Sequence, residues 1–271
     1  MAGQQSAKGR NGETLGGMLR RKVYGLPVKR ALELEPRLKR FLRVDARPRL
    51  DFSDKECLLL YNQLVARECF GLDLVLPVEA LVPTVLSRYR FLERVVQTGD
   101  LVLDVGTGPS AIIALLAAKF FGARVVATEL PCYTHFAWEN VVRNGLEENI
   151  KILTSYSGVI RGVVPEDLKF DLIISYPPFY ADTSASGCLA GVAHGFELVG
   201  GGRFGTWFAE RVVEEGCSHL VYGGRIAFML PASNPQRVER VKGCMLRMGM
   251  TTKETRFRSG NRDRVVVLGW K

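Results

Sequence analysis

From about residue 100 onward, short apolar runs alternate with longer stretches of helical period. Leu101–Val105, Arg124–Glu129, Ile150–Thr154 and Phe170–Ser175 read as strands, each bounded by turn-forming residues. Pro109–Phe121 is apolar nearly all round, as a helix packed on a sheet would be. Pro131–Asn144 reads as a second helix, stopped at Asn144 and Gly145. A glycine-rich loop over 181–205 precedes a helix at Thr206–Ser218, a strand at Gly224–Pro231 and a helix at Pro235–Met248. Two last strands, Thr251–Phe257 and Arg264–Trp270, are joined through Ser259, Gly260 and Asn261. Repeated β-α units predict an α/β fold with a mostly parallel sheet covered by helices on both faces. The terminal hairpin places one antiparallel strand in that sheet.

The first hundred residues follow a different pattern. Residues 1–18 are rich in Gly, Ser and Gln and are expected to be a disordered tail. Residues 18–50 mix apolar and basic positions and predict short helices. Ser53 and Glu56 have the spacing of a capping box, which predicts a helix over Cys57–Phe70 ending at Gly71. A further helix is expected from Pro83 to about Val96. The organisation predicted is a tail (1–18), a basic helical region (19–97) and an α/β domain (98–271).

Charge sharpens this division. Residues 1–50 hold 13 Lys/Arg against four Asp/Glu, which accounts for the whole net charge of +9; the remaining residues hold 24 of each sign. A basic segment of this kind is an electrostatic footprint for a polyanion, although a solvated tail carries the same composition. The hydrophobic share of 47% is that of a folded chain. No run of about 18 uncharged apolar residues predicts a membrane span, and Met1–Glu13 lacks the apolar core of an export signal, so the expected location is the cytoplasm. Six cysteines without a C-x-x-C pair and three scattered histidines offer no metal framework, so no metal is expected. The expected state is a monomer or weak dimer.

Two segments carry candidate chemistry. Asp104, Val105, Gly106, Thr107, Gly108, Pro109 and Ser110 lie where a first strand turns into a first helix. The glycines let backbone approach a ligand, and Glu129, at the end of the second strand, is placed to accept the hydroxyl protons of a ribose. The pair reads as a pocket for an adenosine-type cofactor. The third glycine of the dinucleotide fingerprint is missing, and no Tyr-x-x-x-Lys or hydride-site histidine stands out, so S-adenosylmethionine fits better than NAD. The second segment, Ser175, Tyr176, Pro177, Pro178 and Phe179, ends the fourth strand, outside the carboxyl end of the sheet where ligands bind. A rigid carbonyl such as that of Pro177 can accept a hydrogen bond from a planar amino group, and Phe179 can stack on its ring. Such acceptors take up the charge that develops on a weakly nucleophilic amine during transfer.

With these residues in view, the chain resembles the adenine-N6 RNA methyltransferases that include a bacterial 23S rRNA enzyme and a eukaryotic U6 snRNA enzyme. The matching stretches are Asp51–Asp54, Phe70–Leu72, Leu76–Pro77, Pro83–Val85, Arg88, Asp104–Gly108, Ala127–Glu129 and Pro177–Phe179. The resemblance implies a Rossmann-like class I methyltransferase fold with a seven-stranded sheet, S-adenosylmethionine as donor and RNA as acceptor. It also implies that Arg88 meets the methionine carboxylate, that Gly106–Gly108 and Ser110 line the cofactor, that Glu129 holds the ribose, and that a residue near Ser157 borders the adenine. The basic extension would hold RNA through Arg20, Arg21, Lys22, Lys29, Arg30, Lys39, Arg40, Arg43, Arg47 and Arg49, with Arg203 contributing from the glycine-rich loop.

One position departs from the pattern: Tyr176 stands where the family carries Asn. Either Ser175 or a backbone carbonyl takes over the amide's role, or the acceptor differs, as guanine N2 or a protein glutamine amide would, or the chain binds RNA without turning it over.

Overall fold

The computed structural model describes residues 25–44, 48–182, 195–260 and 262–271. These residues form two compact units: one from the residues up to Leu74 with Val82–Leu86, the other from Val75–Leu81 with Ser87–Lys271. The expected tail, Arg20, Arg21, Lys22 and Arg47 lie outside the described residues.

The first unit contains helix α1 (Val28–Leu34), a 3-10 turn (Pro36–Phe41), a small hairpin of β1 (Leu42–Val44) and β2 (Pro48–Leu50), and helix α2 (Lys55–Phe70). The hairpin was not legible in a stretch dominated by arginine. Helix α2 starts two residues before the expected point, and its cap differs from the capping box: the Asp54 carboxylate accepts the Glu56 and Cys57 N–H groups, while the Ser53 hydroxyl donates to Asp51. A carboxylate at the first turn also faces the positive end of the helix dipole, which a serine cannot exploit. The Tyr61 hydroxyl donates to the Leu26 carbonyl at 2.8 Å and anchors the entering chain.

Helix α3 (Val85–Val95) leads into the second unit, where its later residues pack: Tyr89 lies edge-on to Phe120 and Arg94 sits over the Phe257 ring. The order is then β3 (Leu101–Val105), α4 (Ile112–Phe121), β4 (Arg124–Glu129), α5 (Pro131–Arg143), β5 (Ile150–Thr154), β6 (Phe170–Ser175), a single helical turn α6 (Gly195–Leu198), α7 (Trp207–Gly216), β7 (Leu220–Pro231), α8 (Pro235–Arg247), β8 (Thr251–Ser259) and β9 (Arg262–Trp270). Seven strands form one sheet in the order β5-β4-β3-β6-β7-β9-β8. All neighbours run parallel except at β9, which pairs antiparallel with both β7 and β8. Strand β7 begins four residues before the expected start, because a bulge through Gly223 and Gly224 lets the chain rejoin β6 between Phe170 and Leu172.

Central strands buried on both faces explain the continuous apolar runs of β3 and β6. Chain reversal after β3 leaves the carboxyl ends of β3, β4 and β6 side by side. Asn140, fully buried in α5, fixes that rim. Its amide accepts the Val75 N–H at 2.7 Å and donates toward the carbonyls of Val75, Pro109 and Phe136. Asn140→Ala would strand these groups, and a thermal melt should show a loss of about 3 kcal/mol.

Candidate active site

The β3 end and the turn after it are built around buried charge. Asp104 is fully buried; its Oδ2 accepts the Thr107 hydroxyl at 2.6 Å, and its Oδ1 has no hydrogen-bond partner. Burial pushes this carboxyl up to about 7, against the Thr107 hydrogen bond and the charge of Arg88. Gly106 and Gly108 adopt φ of 72° and 75°, a region costly for residues with a Cβ. A Cβ on Gly108 would meet nothing within 4 Å, so the turn borders open space. The N–H groups of Gly106 and Thr107 both donate to the Thr128 carbonyl at 3.1 Å, which docks the turn on β4.

Glu129 ends β4. Its carboxylate accepts the Gly108 and Leu130 N–H groups, and burial nonetheless holds its pKa above the usual range. Ser110 is buried, and its hydroxyl oxygen accepts the Ile112 N–H at 3.3 Å as α4 begins. Helix α4 starts three residues after the expected Pro109 because Ala111 takes a left-handed conformation at φ 47°. Ser157 is exposed; the buried residue of that turn is Ser155, whose N–H donates to the Glu129 carbonyl at 2.7 Å.

Strand β6 runs beside β3 with Asp104 opposite Ile174, so the acceptor turn emerges next to the glycine turn. The Ser175 hydroxyl donates to the Val105 carbonyl at 2.8 Å and ties the two strand ends together. Tyr176 turns its ring toward two cations: the Arg88 guanidinium lies 4.8 Å from the ring centroid and that of Arg264 5.9 Å. Arg88 is itself buried, and desolvation lowers its pKa to about 10. Pro177 is buried. Phe179 carries Arg237 5.3 Å from its centroid and leans on Tyr180, with centroids 4.7 Å apart.

The glycine-rich loop supports this turn directly. The N–H groups of Phe179 and Tyr180 both donate to the Leu198 carbonyl, and the Gly200 N–H donates to the Tyr180 carbonyl. Added Cβ atoms would lie 2.3 Å from the Pro178 oxygen at Gly200 and 2.1 Å from the Phe179 oxygen at Gly205. The glycines are legible in the sequence, but this contact is not. Nor are Arg264 and Arg237, which reach the site from β9 and α8 and lie far from it in sequence.

Of the basic residues expected to hold RNA, Lys29, Arg30, Lys39, Arg40, Arg43, Arg49 and Arg203 are exposed. Arg30 pairs with Glu33, Arg40 with Glu56 and Arg43 with Asp51. Exposed pairs contribute at most about 1 kcal/mol and open readily to a phosphate.

Residues 21–191 match the model of Methyltransf_10, described as RNA methyltransferase. The chain belongs to this RNA methyltransferase family. The candidate methyltransferase MJ0046 of Methanocaldococcus jannaschii is 38% identical over 262 residues, covering 92% of this chain and 100% of that protein. The human RNA N(6)-adenosine-methyltransferase METTL16 is 30% identical over 159 residues, 52% of this chain. That match spans only 28% of METTL16. A crystal structure of a methyltransferase from Pyrococcus furiosus superposes with a TM-score of 0.70 at 32% identity, covering 81% of this chain and 99% of that one. The fold is that of the class I methyltransferases, and the family's donor is S-adenosylmethionine.

The residues present fit that donor. Its amino acid end is zwitterionic: the buried Asp104 carboxylate at the end of β3, with an unpartnered oxygen, and the buried Arg88 guanidinium of α3 lie close enough for their charges to interact. A carboxyl whose pKa is raised by burial gains from a nearby cation.

The raised Asp104 carboxyl also has a stability consequence. Unfolded, it would titrate near pH 3.9; folded, it titrates near 7. The folded state therefore binds more protons between these values, and the unfolding free energy attributable to this group falls as pH rises from about 4 to about 7, by at most roughly 1.4 kcal/mol per pH unit. Subtracting Asp104→Asn from wild type in pH-dependent denaturant melts should isolate that slope.

Proposed function

We propose that the chain transfers the methyl group of S-adenosylmethionine to the N6 amino group of an unpaired adenosine in RNA. The observation carrying this reading is the juxtaposition of the acceptor turn with the glycine turn, imposed by β3–β6 pairing and locked by Ser175 on Val105. In a member of an RNA methyltransferase family, that arrangement supports reading the first as the segment that meets the amine and the second as the donor pocket.

S-adenosylmethionine, when bound, supplies an electrophilic methyl carbon. Arg88 and Asp104 hold its charged end and Glu129 its ribose. Because the Tyr176 ring is engaged by Arg88 and Arg264, the Pro177 carbonyl is the acceptor for an N6–H. Phe179, braced by Arg237, presents a stacking surface for the purine. N6 would take up the methyl group and release one proton to solvent, the donor's sulfur keeping the electron pair of the bond it gives up. The carbonyl stabilises charge developing on nitrogen, and the stacked ring supplies alignment. Tyr176 takes part as a positioning residue that fixes Arg88. Electrostatic attraction by the exposed basic residues of the first unit recruits the RNA.

Substrate analogues test this reading. A hairpin RNA with one loop adenosine should accept label from methyl-labelled donor. The same hairpin with purine riboside at that position lacks the amino group and should accept none. Equal labelling of both would place the acceptor elsewhere.

A further inference from the structure

One cavity beside the acceptor turn has no part in this chemistry. It measures about 380 Å³ and opens at the start of α7, with Arg203, Phe204 and Trp207 in its wall. This wall is continuous with the support of the acceptor turn, since Gly200 and Gly205 pack against the Pro178 and Phe179 carbonyls. The first two residues of α7 face opposite ways. Phe208 packs toward the glycine turn, its ring 3.7 Å from a Cβ built on Gly106, while Trp207 is 54% exposed at the cavity. Cβ atoms built on Gly201 and Gly202 would lie 3.5 and 3.6 Å from the Trp207 Cβ, so the backbone of both glycines runs close beneath the base of the indole while its ring stays open.

The charges lining the cavity are unevenly matched. Glu210 accepts from Arg240 at 3.0 Å and from Thr206 at 2.7 Å, and Glu214 accepts from Arg211 at 3.2 Å. Arg203 lies over the Phe204 ring at 5.4 Å, and among the described residues no carboxylate pairs with it. An open aromatic face beside an uncompensated guanidinium suits a ligand with a flat ring and an anion a few bonds away, as a nucleotide has. An apolar ligand would leave Arg203 desolvated without return, and a free anion would gain nothing from the indole.

We propose that this cavity receives an unpaired nucleotide of the substrate RNA adjacent to the one methylated, its base on Trp207 and its phosphate on Arg203. The proposal rests on RNA being the substrate. The site would set sequence context: it discriminates neighbours by stacking strength, and so favours a purine.

The test uses the full chain and hairpin RNAs carrying a single loop adenosine, with one abasic nucleotide placed in turn on each side of it. Wild type should bind one of the abasic RNAs about tenfold more weakly than the intact hairpin. Trp207→Ala should bind the intact RNA about tenfold more weakly, lose its sensitivity to that abasic position, and show a larger change in KM than in kcat. Trp207→Phe should restore most of the affinity. Arg203→Met should weaken binding and flatten its salt dependence. If Trp207→Ala and Arg203→Met bind and methylate the intact RNA as wild type does, the cavity has no such role and the methyltransferase reading stands. If wild type methylates no RNA, both fall.

Discussion

Glu129→Gln should separate cofactor binding from stability. Burial raises the Glu129 pKa against its backbone hydrogen bonds, so a neutral amide of the same shape relieves a desolvation cost. The two carboxylate oxygens accept separately, one from Gly108 and the other from Leu130, so the amide keeps one of these bonds and sets its NH2 against the other N–H. The melting temperature should change little, the relieved burial offsetting the lost backbone hydrogen bond, whereas calorimetry should show S-adenosylmethionine binding about 10- to 100-fold weaker, the usual cost of losing a charged hydrogen-bond acceptor. Unchanged affinity would mean that Glu129 does not touch the donor.

Gly205→Ala should be more damaging, and on the other side of the reaction. The added methyl group would sit 2.1 Å from the Phe179 carbonyl oxygen at a φ of 69°. The loop must move, and it is hydrogen-bonded to the acceptor turn through Leu198 and Gly200. Strain in the left-handed region and overpacking together should cost about 2–4 kcal/mol. A displacement of the turn near 1 Å should lower kcat on RNA about 100-fold. Donor binding should fall far less, because Asp104, Gly108 and Glu129 belong to other strand ends. Equal losses in both would point to global unfolding rather than a displaced acceptor turn.

The catalytic sheet was legible because its central strands are short, apolar and bounded by turns. Four strands, Leu101–Val105, Arg124–Glu129, Ile150–Thr154 and Phe170–Ser175, fall where their pattern places them. The glycine turn and the acceptor turn were legible for a related reason: local chemistry at a strand end carries its own signal. What escaped depends on contacts between distant residues. Nothing in the sequence around Arg264 points to Tyr176, 88 residues away, yet strand order brings β9 to the acceptor turn. Asn140 reads as an ordinary polar helix position until four backbone groups converge on it. The left-handed Ala111, which delays α4, breaks a propensity rule beside the donor pocket, where strain of this kind tends to collect. In the first unit, Asp54 and Ser53 are adjacent candidates for one cap, and only the hydrogen bonds decide between them.

The departure at Tyr176 is accommodated through these same long-range contacts. The Tyr176 ring is held by two guanidiniums, and on the proposed function it falls to the backbone of the prolines to meet the amine.

The central claim is that the acceptor is adenosine N6, and direct product identification tests it. Purified protein, methyl-labelled S-adenosylmethionine and total RNA from the protein's own source would be incubated together, and the RNA digested to nucleosides and separated by mass. Label is expected in N6-methyladenosine. Label confined to N2-methylguanosine or another nucleoside, or none in RNA while calorimetry shows the donor bound, would contradict it.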